Sequence, residues 1–350
     1  MRLGPKDPLS AGAGPEADVV ARSRIRLARN LAGFPFVARA TDVQRREVVD
    51  LVRRAGAACR DSPALEWHPM SQTSAHERQL LVERHLVSRN FASTEIACAV
   101  GLSADERLSV MVNEEDHLRI QALAPGFDLR AAMSLASSFD DALGRTVDYA
   151  FSPRWGHLTA CPTNVGCGIR LSVMVHLPSL KLTGELERVK RAAKDLNLAV
   201  RGFYGEGTEA IGSFFQISNQ VTLGVSEDDL LEEFADRVVP QIVTYEREAR
   251  SMLLDRSRLV VEDKVWRAVA TLRAARLLTA DEALKLLSSL RLGISAGLVS
   301  GLTLDRLSSL VVQTQPAHLL SSEPSAKDEQ TAKAIRANFL RQALRDVEVG

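Results

Sequence analysis

Hydrophobic and polar residues alternate along several short stretches in the first two thirds of the chain. Alternation places successive side chains on opposite faces of a strand, so it predicts β-structure. The predicted strands are RLSVMVNE (107–114), RLSVMVHLP (170–178), LAVRGF (198–203) and FFQISNQVTL (214–223). Between such stretches, the pattern predicts amphipathic helices at 43–58, 75–87, 128–144 and 183–196. Together these elements indicate a sheet covered by helices.

The pattern changes near residue 225, where the signals become almost wholly helical. SEDDLLEEF (226–234) and TADE (279–282) both begin like helix N-termini with a capping residue. Pro240 has no backbone N–H, so it should kink or divide the long helical pattern near Val239. The pattern of residue types along the chain predicts three parts. These are a Gly- and Pro-rich flexible leader at 1–15, a domain of strands and helices at 16–254 and a helical domain at 255–350.

The composition mainly excludes classes of partner and of site. With 350 residues and 45% hydrophobic content, the chain can bury a sizeable core. Lys+Arg and Asp+Glu both number 44, so the balance favours neither nucleic acid nor a membrane surface as a partner. The four cysteines form no CxxC pair, and no apolar run reaches the ~18 residues of a membrane span. We therefore expect reduced thiols and a cytoplasmic protein.

The usual nucleotide-binding motifs are missing from the sequence, which has no GxxxxGK[ST], no strand-linked GxGxxG and no kinase HRD or DFG set. Arginines outside long helices could neutralise phosphates instead, because guanidinium groups stay charged and bind phosphate oxygens in a fork. The candidates are Arg24, Arg26, Arg119, Arg170 and Arg201. Taken one at a time, each is better explained as a surface or capping charge.

Five segments taken together resemble one known family. SRIRLARN, NEEDHLRI, CPTNVGCGIR, RGFYGEGTEA and FQISNQVTLG occur in the order and at the approximate spacing typical of ATP:guanidino phosphotransferases. That family includes creatine kinases, arginine kinases and bacterial protein arginine kinases. The resemblance implies an α+β fold, in which a guanidino-kinase catalytic domain, mainly an antiparallel sheet flanked by helices, precedes an α-helical C-terminal domain that serves dimerisation and regulation.

Within the family, the chain most resembles the protein arginine kinases. Phosphagen kinases carry a helical domain before the SRxR motif, whereas here the motif begins at Ser23, and EDKVWRA, RLGISAG and TQPAHL resemble the tail of protein arginine kinases. The resemblance implies transfer of the γ-phosphate of ATP to arginine residues of proteins, which marks them for Clp-type degradation. It further implies a homodimer, an activator protein and a Clp chaperone-protease as partners.

The resemblance also assigns nucleotide contacts. The residues that match ATP-binding positions are Ser23, Arg24, Ile25, Arg26, His85, Arg119, Arg170, Leu171, Ser172, Val173, Met174, Arg201, Gly202, Phe203, Tyr204, Gly205 and Glu206. Taken alone, His85 would be a polar residue on an amphipathic helix. No His/Asp cluster with metal-ligand spacing accompanies this set, so we expect Mg²⁺ to be held by the phosphates and water.

Phosphorylation of a guanidinium sets the chemical requirements of the site. Its lone pairs are delocalised, so one nitrogen must lose a proton as the N–P bond forms, and a carboxylate can take it. The resemblance assigns the base to Glu115 and a second, gripping carboxylate to Glu206, with Glu114 and Asp116 supporting the loop. Cys161 matches the reactive cysteine of the family, whose thiolate could orient a guanidinium nitrogen.

The chain departs from the family pattern at two places. Cys167 replaces a Thr of the glycine loop, which raises the hypothesis of a redox disulfide with Cys161. KDEQTA (327–332) replaces the phosphoarginine-binding RDxxRA motif, so that Lys327 and Thr331 stand where the motif has arginines. Two phosphate-binding forks are thereby lost, and we expect little or no activation by free phosphoarginine.

Two other functions stay open on the sequence alone. One is a kinase of a small free guanidino compound, and the other is a catalytically inactive adaptor that binds client proteins. The carboxylates, Cys161 and the five arginines favour an enzyme over an adaptor, because a binding module has no need of that set. The early position of the SRxR motif favours a protein-borne acceptor.

Overall fold

The computed structural model describes residues 14–59, 62–202 and 211–350. Phe203, Tyr204, Gly205 and Glu206 lie outside these ranges, as do residues 1–13 of the predicted leader. The last two leader residues pack against the fold, since the Phe127 N–H donates to the Pro15 carbonyl at 2.7 Å.

The described strands, in chain order, are β1 (Val20–Arg29), β2 (Leu65–Pro69), β3 (Ala99–Ser103), β4 (Leu108–Val112), β5 (Leu118–Pro125), β6 (Phe151–Ser152), β7 (Gly156–His157), β8 (Ile169–His176), β9 (Leu198–Gly202), β10 (Phe214–Asn219), β11 (Val299–Ser300) and β12 (Glu348–Val349). Within the described ranges, eight of them form one sheet in the order β2-β3-β4-β5-β1-β8-β10-β9. Every neighbouring pair in it is antiparallel. The short pairs β6-β7 and β11-β12 stand apart from it.

The described α-helices are α1 (Asp42–Ala58), α2 (Ala75–Glu83), α3 (Arg89–Ser93), α4 (Leu129–Gly144), α5 (Pro178–Leu182), α6 (Leu186–Asp195), α7 (Glu227–Glu232), α8 (Val239–Ala274), α9 (Ala280–Ser295), α10 (Leu304–Gln313), α11 (Pro316–Ser322) and α12 (Glu329–Ala343). Side-chain caps fix several helix starts. Thr41 and Ser74 form capping boxes, and Ser226 and Thr279 accept from the third backbone N–H of their helices. These starts match the predicted signals in SEDDLLEEF and TADE.

The two faces of the large sheet are covered differently. On one face, Ile25 and Leu27 of β1 pack with Val52 of α1 and Phe139 of α4 in the main core. The other face is covered only at its ends within the described chain. Residues of α2 and α3 cover Met111 and Leu123 of β4 and β5, and Leu284 of α9 covers Met174 and Phe214. Between these covers the second face is open and polar.

The helical backbone continues through Pro240 by way of a widened turn, and the predicted kink there stays a prediction. Pro240 lies in the first turn of α8, directly after a π-helical turn at Glu233–Val238, where the Val239 N–H donates to the Phe234 carbonyl. Because proline has no N–H to donate, the regular ladder cannot continue through this position.

The C-terminal helices have a core of their own. Residues from α8, α9, α10 and α12 form it, including Val261, Leu287, Leu310 and Leu340, whereas Ala249 earlier on α8 belongs to the main core. The sheet and these helices confirm the predicted α+β class. The boundary between 254 and 255 falls inside α8, near the non-helical backbone of Ser257, and stays a prediction. Among the described residues, no helix has the length and apolar character needed to cross a bilayer.

Candidate active site

Strand register gathers the predicted arginines on the open face of the sheet. Arg24 and Arg26 lie two apart on β1, so both point away from the main core. Arg26 stands opposite Arg170 of β8, and Arg201 of β9 stands opposite Gln216 of β10. With Arg119 of β5, these five arginines line one cleft of about 900 Å³. The sheet thus brings together side chains that lie up to 177 positions apart (24 to 201).

Most of these arginines are held by polar partners. Arg24 donates to the Gln216 amide oxygen at 2.6 Å and to the Ser172 hydroxyl at 3.3 Å. Arg170 donates to the Ser218 hydroxyl at 3.2 Å. Arg26 differs, since its buried Nε and Nη2 have no hydrogen-bond partner within the described residues. Buried donors without acceptors are costly, so Arg26 is suited to an anionic ligand.

Electrostatics in the cleft also favour an anion. Burial and the repulsion of neighbouring arginines lower the pKa of Arg24 and of Arg26 well below its ordinary range. For both side chains, the repelling groups include Arg119, Arg170 and Arg201. A polyphosphate placed among them would offset this repulsion and supply the missing acceptors.

Other predicted ATP-binding residues support the strands and do not line the cleft. Ile25, Leu171 and Val173 are in the main core. Ser23 is buried, where its hydroxyl donates to the Gly126 carbonyl at 2.9 Å and accepts from the Asp128 N–H at 3.0 Å. Three predicted residues remain. Ser172 accepts a hydrogen bond from Arg24, Met174 packs against Leu284 of α9, and Gly202 is buried on β9. These side chains hold the framework that carries the arginines.

His85 lies at the cleft, but the predicted helical setting is wrong. Helix α2 ends at Glu83, and His85 takes a left-handed conformation with φ 59°. Its N–H donates to the Val82 carbonyl, the pattern of a helix C-terminal turn in which glycine is usual. Histidine there costs roughly 1–2 kcal/mol, and no local signal in the sequence marks the turn. Burial and repulsion from Arg22, Arg24 and Arg89 put its pKa well below the ordinary range, so the imidazole is neutral.

NEEDHLRI contains the hairpin turn that joins β4 to β5. The Asn113 N–H donates to the His117 carbonyl, and the Glu114 N–H donates to the Asp116 carbonyl. The Glu114 carboxylate accepts from Arg119 at 3.0 Å and from the Ser88 hydroxyl at 2.7 Å. Glu114 therefore holds Arg119 in place and is not free to act as a base.

Asp116 ties this turn to two other segments. Its Oδ1 accepts from the Asn30 amide at 2.6 Å and from the Ala160 N–H at 2.6 Å. Asn30 follows β1, and Ala160 directly precedes Cys161. His117 fixes the turn from the other side, because its Nδ1 accepts from the Leu31 N–H at 3.0 Å. These bonds bring Glu115 next to Cys161.

Glu115 and Cys161 both line the cleft. Partial burial, followed by repulsion from Asp116 and Glu114, raises the pKa of Glu115, while Arg119 opposes the rise. The Cys161 Sγ also lies 3.0 Å from the Thr163 hydroxyl. Two of the three predicted catalytic residues are therefore adjacent, and the third, Glu206, lies outside the described residues.

The glycine loop that follows Cys161 requires its glycines. Gly166 has φ 118°, and a Cβ there would lie 2.2 Å from the Thr222 carbonyl oxygen. The Thr222 hydroxyl in turn donates to the Val165 carbonyl at 2.8 Å. Cys161 and Cys167 are free thiols, and Cys167 packs against the main core, where burial raises its pKa. The redox disulfide stays a prediction.

Sequence reasoning missed several residues that organise the site. Gln216, Asn30, Ser88 and the buried Arg29 had no assigned role. Arg29 donates to Asp140 at 2.9 Å and to the Cys167 carbonyl at 3.0 Å, so it anchors the glycine loop. Gln216 directly precedes the core residue Ile217 on β10. Alternation along the strand could therefore have predicted that its side chain lies on the same face of the sheet as the arginines. The contacts of the others depend on tertiary structure.

Comparison with known proteins agrees with this geometry. A family model described as ATP:guanido phosphotransferase, C-terminal catalytic domain, matches residues 47–249. A second, described as Protein-arginine kinase McsB C-terminal domain, matches residues 258–349. The protein-arginine kinase of Halalkalibacterium halodurans is 45% identical over 332 residues, which cover 93% of each chain. That of Moorella thermoacetica is 45% identical over 336 residues, 95% of this chain and 96% of the relative.

Solved structures show the same fold. A taurocyamine kinase from Schistosoma mansoni with bound transition state analog components superposes with a TM-score of 0.62, at 24% identity over 70% of this chain and 36% of that chain. A lombricine kinase gives a TM-score of 0.58, at 25% identity over 70% of this chain and 71% of that chain. The chain therefore belongs to the ATP:guanido phosphotransferase family, within its protein-arginine kinase group.

Proposed function

We propose that the chain transfers the γ-phosphoryl group of ATP to the guanidinium of arginine residues in proteins. One observation carries the proposal: Glu115 and Cys161 line the same cleft that five arginines line from the sheet. A carboxylate able to take a proton is thereby next to an anion site whose guanidinium groups supply the positive charge and the paired N–H donors that bind phosphates.

The chemistry assigns each group a task. As a guanidinium nitrogen of the acceptor bonds to the γ-phosphorus, the bond from that phosphorus to the bridging oxygen breaks and ADP leaves with the electron pair. Glu115 takes the proton that the nitrogen loses. The arginines stabilise charge on the transferring group, and Cys161 and Glu206 orient the acceptor.

Magnesium enters this proposal with the nucleotide. Among the described residues, no group of three or more His, Cys, Asp or Glu side chains is placed to hold a metal ion. Mg²⁺ would be coordinated by the phosphates and water, and it would offset part of the phosphate charge.

The proposal extends to location and partners. Free cysteines suit the cytoplasm. There, a homodimer would phosphorylate arginine-bearing client proteins, respond to an activator protein and direct the marked clients to a Clp-type chaperone-protease. The family resemblance and the match to the C-terminal domain of a protein-arginine kinase support these points.

One experiment separates this function from the alternatives. The protein is incubated with Mg-ATP and either an unfolded model protein or free arginine, and acid-labile, base-stable phosphate is located by mass spectrometry. Label on protein arginine supports the proposal. Label on free arginine alone indicates a small-molecule guanidino kinase. No label from a folded sample that binds ATP indicates an adaptor, and either of the last two results contradicts the proposal.

A further inference from the structure

Helix α11 of the C-terminal region docks on the end of α2, at two buried charged residues. Glu83 and Arg84 are 6% and 7% exposed. The Glu83 carboxylate accepts from the Ala317 N–H at 2.9 Å and from the His318 N–H at 3.1 Å. A carboxylate from the catalytic region thus satisfies backbone donors at the start of α11, donors that no residue within that helix can satisfy.

The His318 ring bridges the two charged residues. Its Nε2 lies 3.1 Å from Arg84 Nε, and its Nδ1 lies 2.8 Å from Glu83 Oε2. A guanidinium can only donate, so Nε2 must accept and Nδ1 must carry the proton that it donates to Glu83. The contact therefore requires a neutral imidazole in one tautomer. Arg84 is fixed at its other end by Glu106, at 2.6 and 2.7 Å.

The residue that follows Arg84 is His85, which faces the nucleotide cleft. Its backbone is held from the sheet, because Gln121 donates to the His85 carbonyl at 2.8 Å and Ser109 donates to the Leu86 carbonyl at 3.0 Å. His318 holds the same turn from the opposite side through Arg84. Two independent anchors therefore fix the left-handed turn that aims His85.

The C-terminal core holds His318 in turn. Arg336 of α12 is buried and donates to the Thr314 carbonyl at 2.7 Å and to the Leu278 carbonyl at 2.9 Å. Thr314 lies two residues before α11. A continuous series of hydrogen bonds and covalent neighbours thus connects the C-terminal core, His318, Arg84 and His85.

We propose that His318 is a positioning residue for the nucleotide, acting from the C-terminal region on His85 through Arg84. The inference rests on the proposed function and on the predicted contact of His85, which lines the cleft, with ATP. Loss of the His318 ring removes the acceptor of Arg84 Nε, so that Glu106 alone of these two partners still holds the guanidinium, and it leaves Glu83 without one of its donors. The turn then samples other conformations, and ATP binds less tightly, whereas the Glu115–Cys161 side of the cleft is unchanged.

The test is a double-mutant cycle on Mg-ATP affinity, measured by calorimetry without any acceptor. His318→Ala should weaken ATP binding about fivefold, and His85→Ala should weaken it at least as much. In the His85→Ala background, His318→Ala should add less than about twofold. His318→Gln, whose amide oxygen can still accept from Arg84, should restore part of the affinity.

Ser321→Ala is the matched control. Ser321 also joins α11 to α2, through a 2.9 Å bond with His76, but it touches neither Glu83 nor Arg84. Its ATP affinity should stay at the wild-type value. In turnover assays, His318→Ala should raise KM for ATP and leave KM for the protein acceptor unchanged.

Three outcomes would overturn the inference: unchanged ATP affinity in His318→Ala, equal losses in both backgrounds of the cycle, or no rescue by Gln. Unchanged affinity in His85→Ala would overturn it too, since the effect could not then pass through His85. Because the cycle needs no phosphoryl acceptor, it can succeed even if transfer to protein arginine is not found. The two claims therefore fail separately.

Discussion

The three acidic residues of the β4–β5 turn differ because their neighbours differ. Burial of Glu114 is outweighed by Arg119 and hydrogen bonds, so its pKa is lowered. Burial raises the pKa of Asp116, which serves as a hydrogen-bond acceptor for two other segments. Glu115 is exposed at the cleft with a raised pKa. Only Glu115 combines access to a substrate with a carboxylate that is not already committed to an arginine.

The raised pKa of Glu115 predicts a pH effect. A base acts only when ionised, so activity should rise as pH increases through a pKa above the ordinary glutamate value of 4.5. Asp116→Asn removes a repelling charge and retains an oxygen for Asn30 and Ala160. The acidic limb of the kcat/KM profile should therefore move to lower pH. Asp50→Asn, on the exposed side of α1, is the control and should leave the profile unchanged. If the acidic limb of Asp116→Asn stays in place or moves to higher pH, the assigned electrostatics are wrong.

Arg26 offers a second test at this scale. Arg26→Met removes buried unpaired donors and one of five mutually repelling charges, so the ATP-free protein should gain about 1 kcal/mol in free energy of unfolding. The stabilisation that we expect Mg-ATP to give the unaltered protein in thermal unfolding should be lost at the same time. Arg54→Met, on the exposed face of α1, should change neither quantity. A less stable ATP-free variant with normal ATP stabilisation would contradict this account.

At the scale of elements, alternation predicted some strands well and others not at all. RLSVMVHLP and FFQISNQVTL became β8 and β10 because each has one apolar face on the main core. Arginines two apart, as in SRIRLARN, fit a strand or a helix equally well, and pairing with β5 and β8 decides for a strand. β3 is buried on both faces and shows no alternation in Ala-Val-Gly-Leu-Ser.

The motifs predicted which residues would meet at the cleft better than they predicted the geometry of the meeting. Family motifs identified Glu115, Cys161 and the arginines, but the meeting of Arg26 with Arg170 depends on strand pairing across 144 positions (26 to 170). His85 was placed on a helix because nothing local announces a left-handed turn. The Asp116 contacts to Asn30 and Ala160 are equally non-local.

The glycine loop gives a prediction for an element. Gly166→Ala places a Cβ against the Thr222 carbonyl, so the loop must move, and stability should fall by about 2–3 kcal/mol. Phosphoryl transfer should fall as well, because Cys161 lies on the same loop. Gly184→Ala shares a positive φ but meets nothing within 4 Å, so it should cost about 1 kcal/mol and spare activity. Equal effects of the two changes would show that the contact with Thr222 does not matter.

At the scale of the whole molecule, the C-terminal helices contact the sheet at one end of its open face and the end of helix α2 at the other. Leu284 of α9 covers Met174 and Phe214 at one end, and α11 docks on Glu83 and Arg84 at the other. The chain is neutral overall, yet it concentrates five arginines in one cleft. Net charge alone would not have revealed a site for a polyanion.

The start of α12 carries a prediction about regulation. Lys327 is exposed, and Asp328 caps the helix by accepting from the Thr331 N–H at 2.9 Å. One lysine and one threonine offer no guanidinium fork, so free phosphoarginine should give little or no activation in steady-state assays. Replacing both residues by arginine in one variant should create a response if the forks are what is missing. Strong activation of the unaltered protein would refute this.

The central claim is that the arginine cleft binds ATP while Glu115 takes the proton from the acceptor guanidinium. It is tested most directly by Glu115→Gln, with single-turnover phosphorylation of arginine in an unfolded protein and ATP affinity measured on the same sample. We predict that the transfer rate falls about 10²- to 10⁴-fold, while ATP affinity stays at the wild-type value. A variant that retains wild-type transfer, or that loses ATP binding together with transfer, would contradict the account.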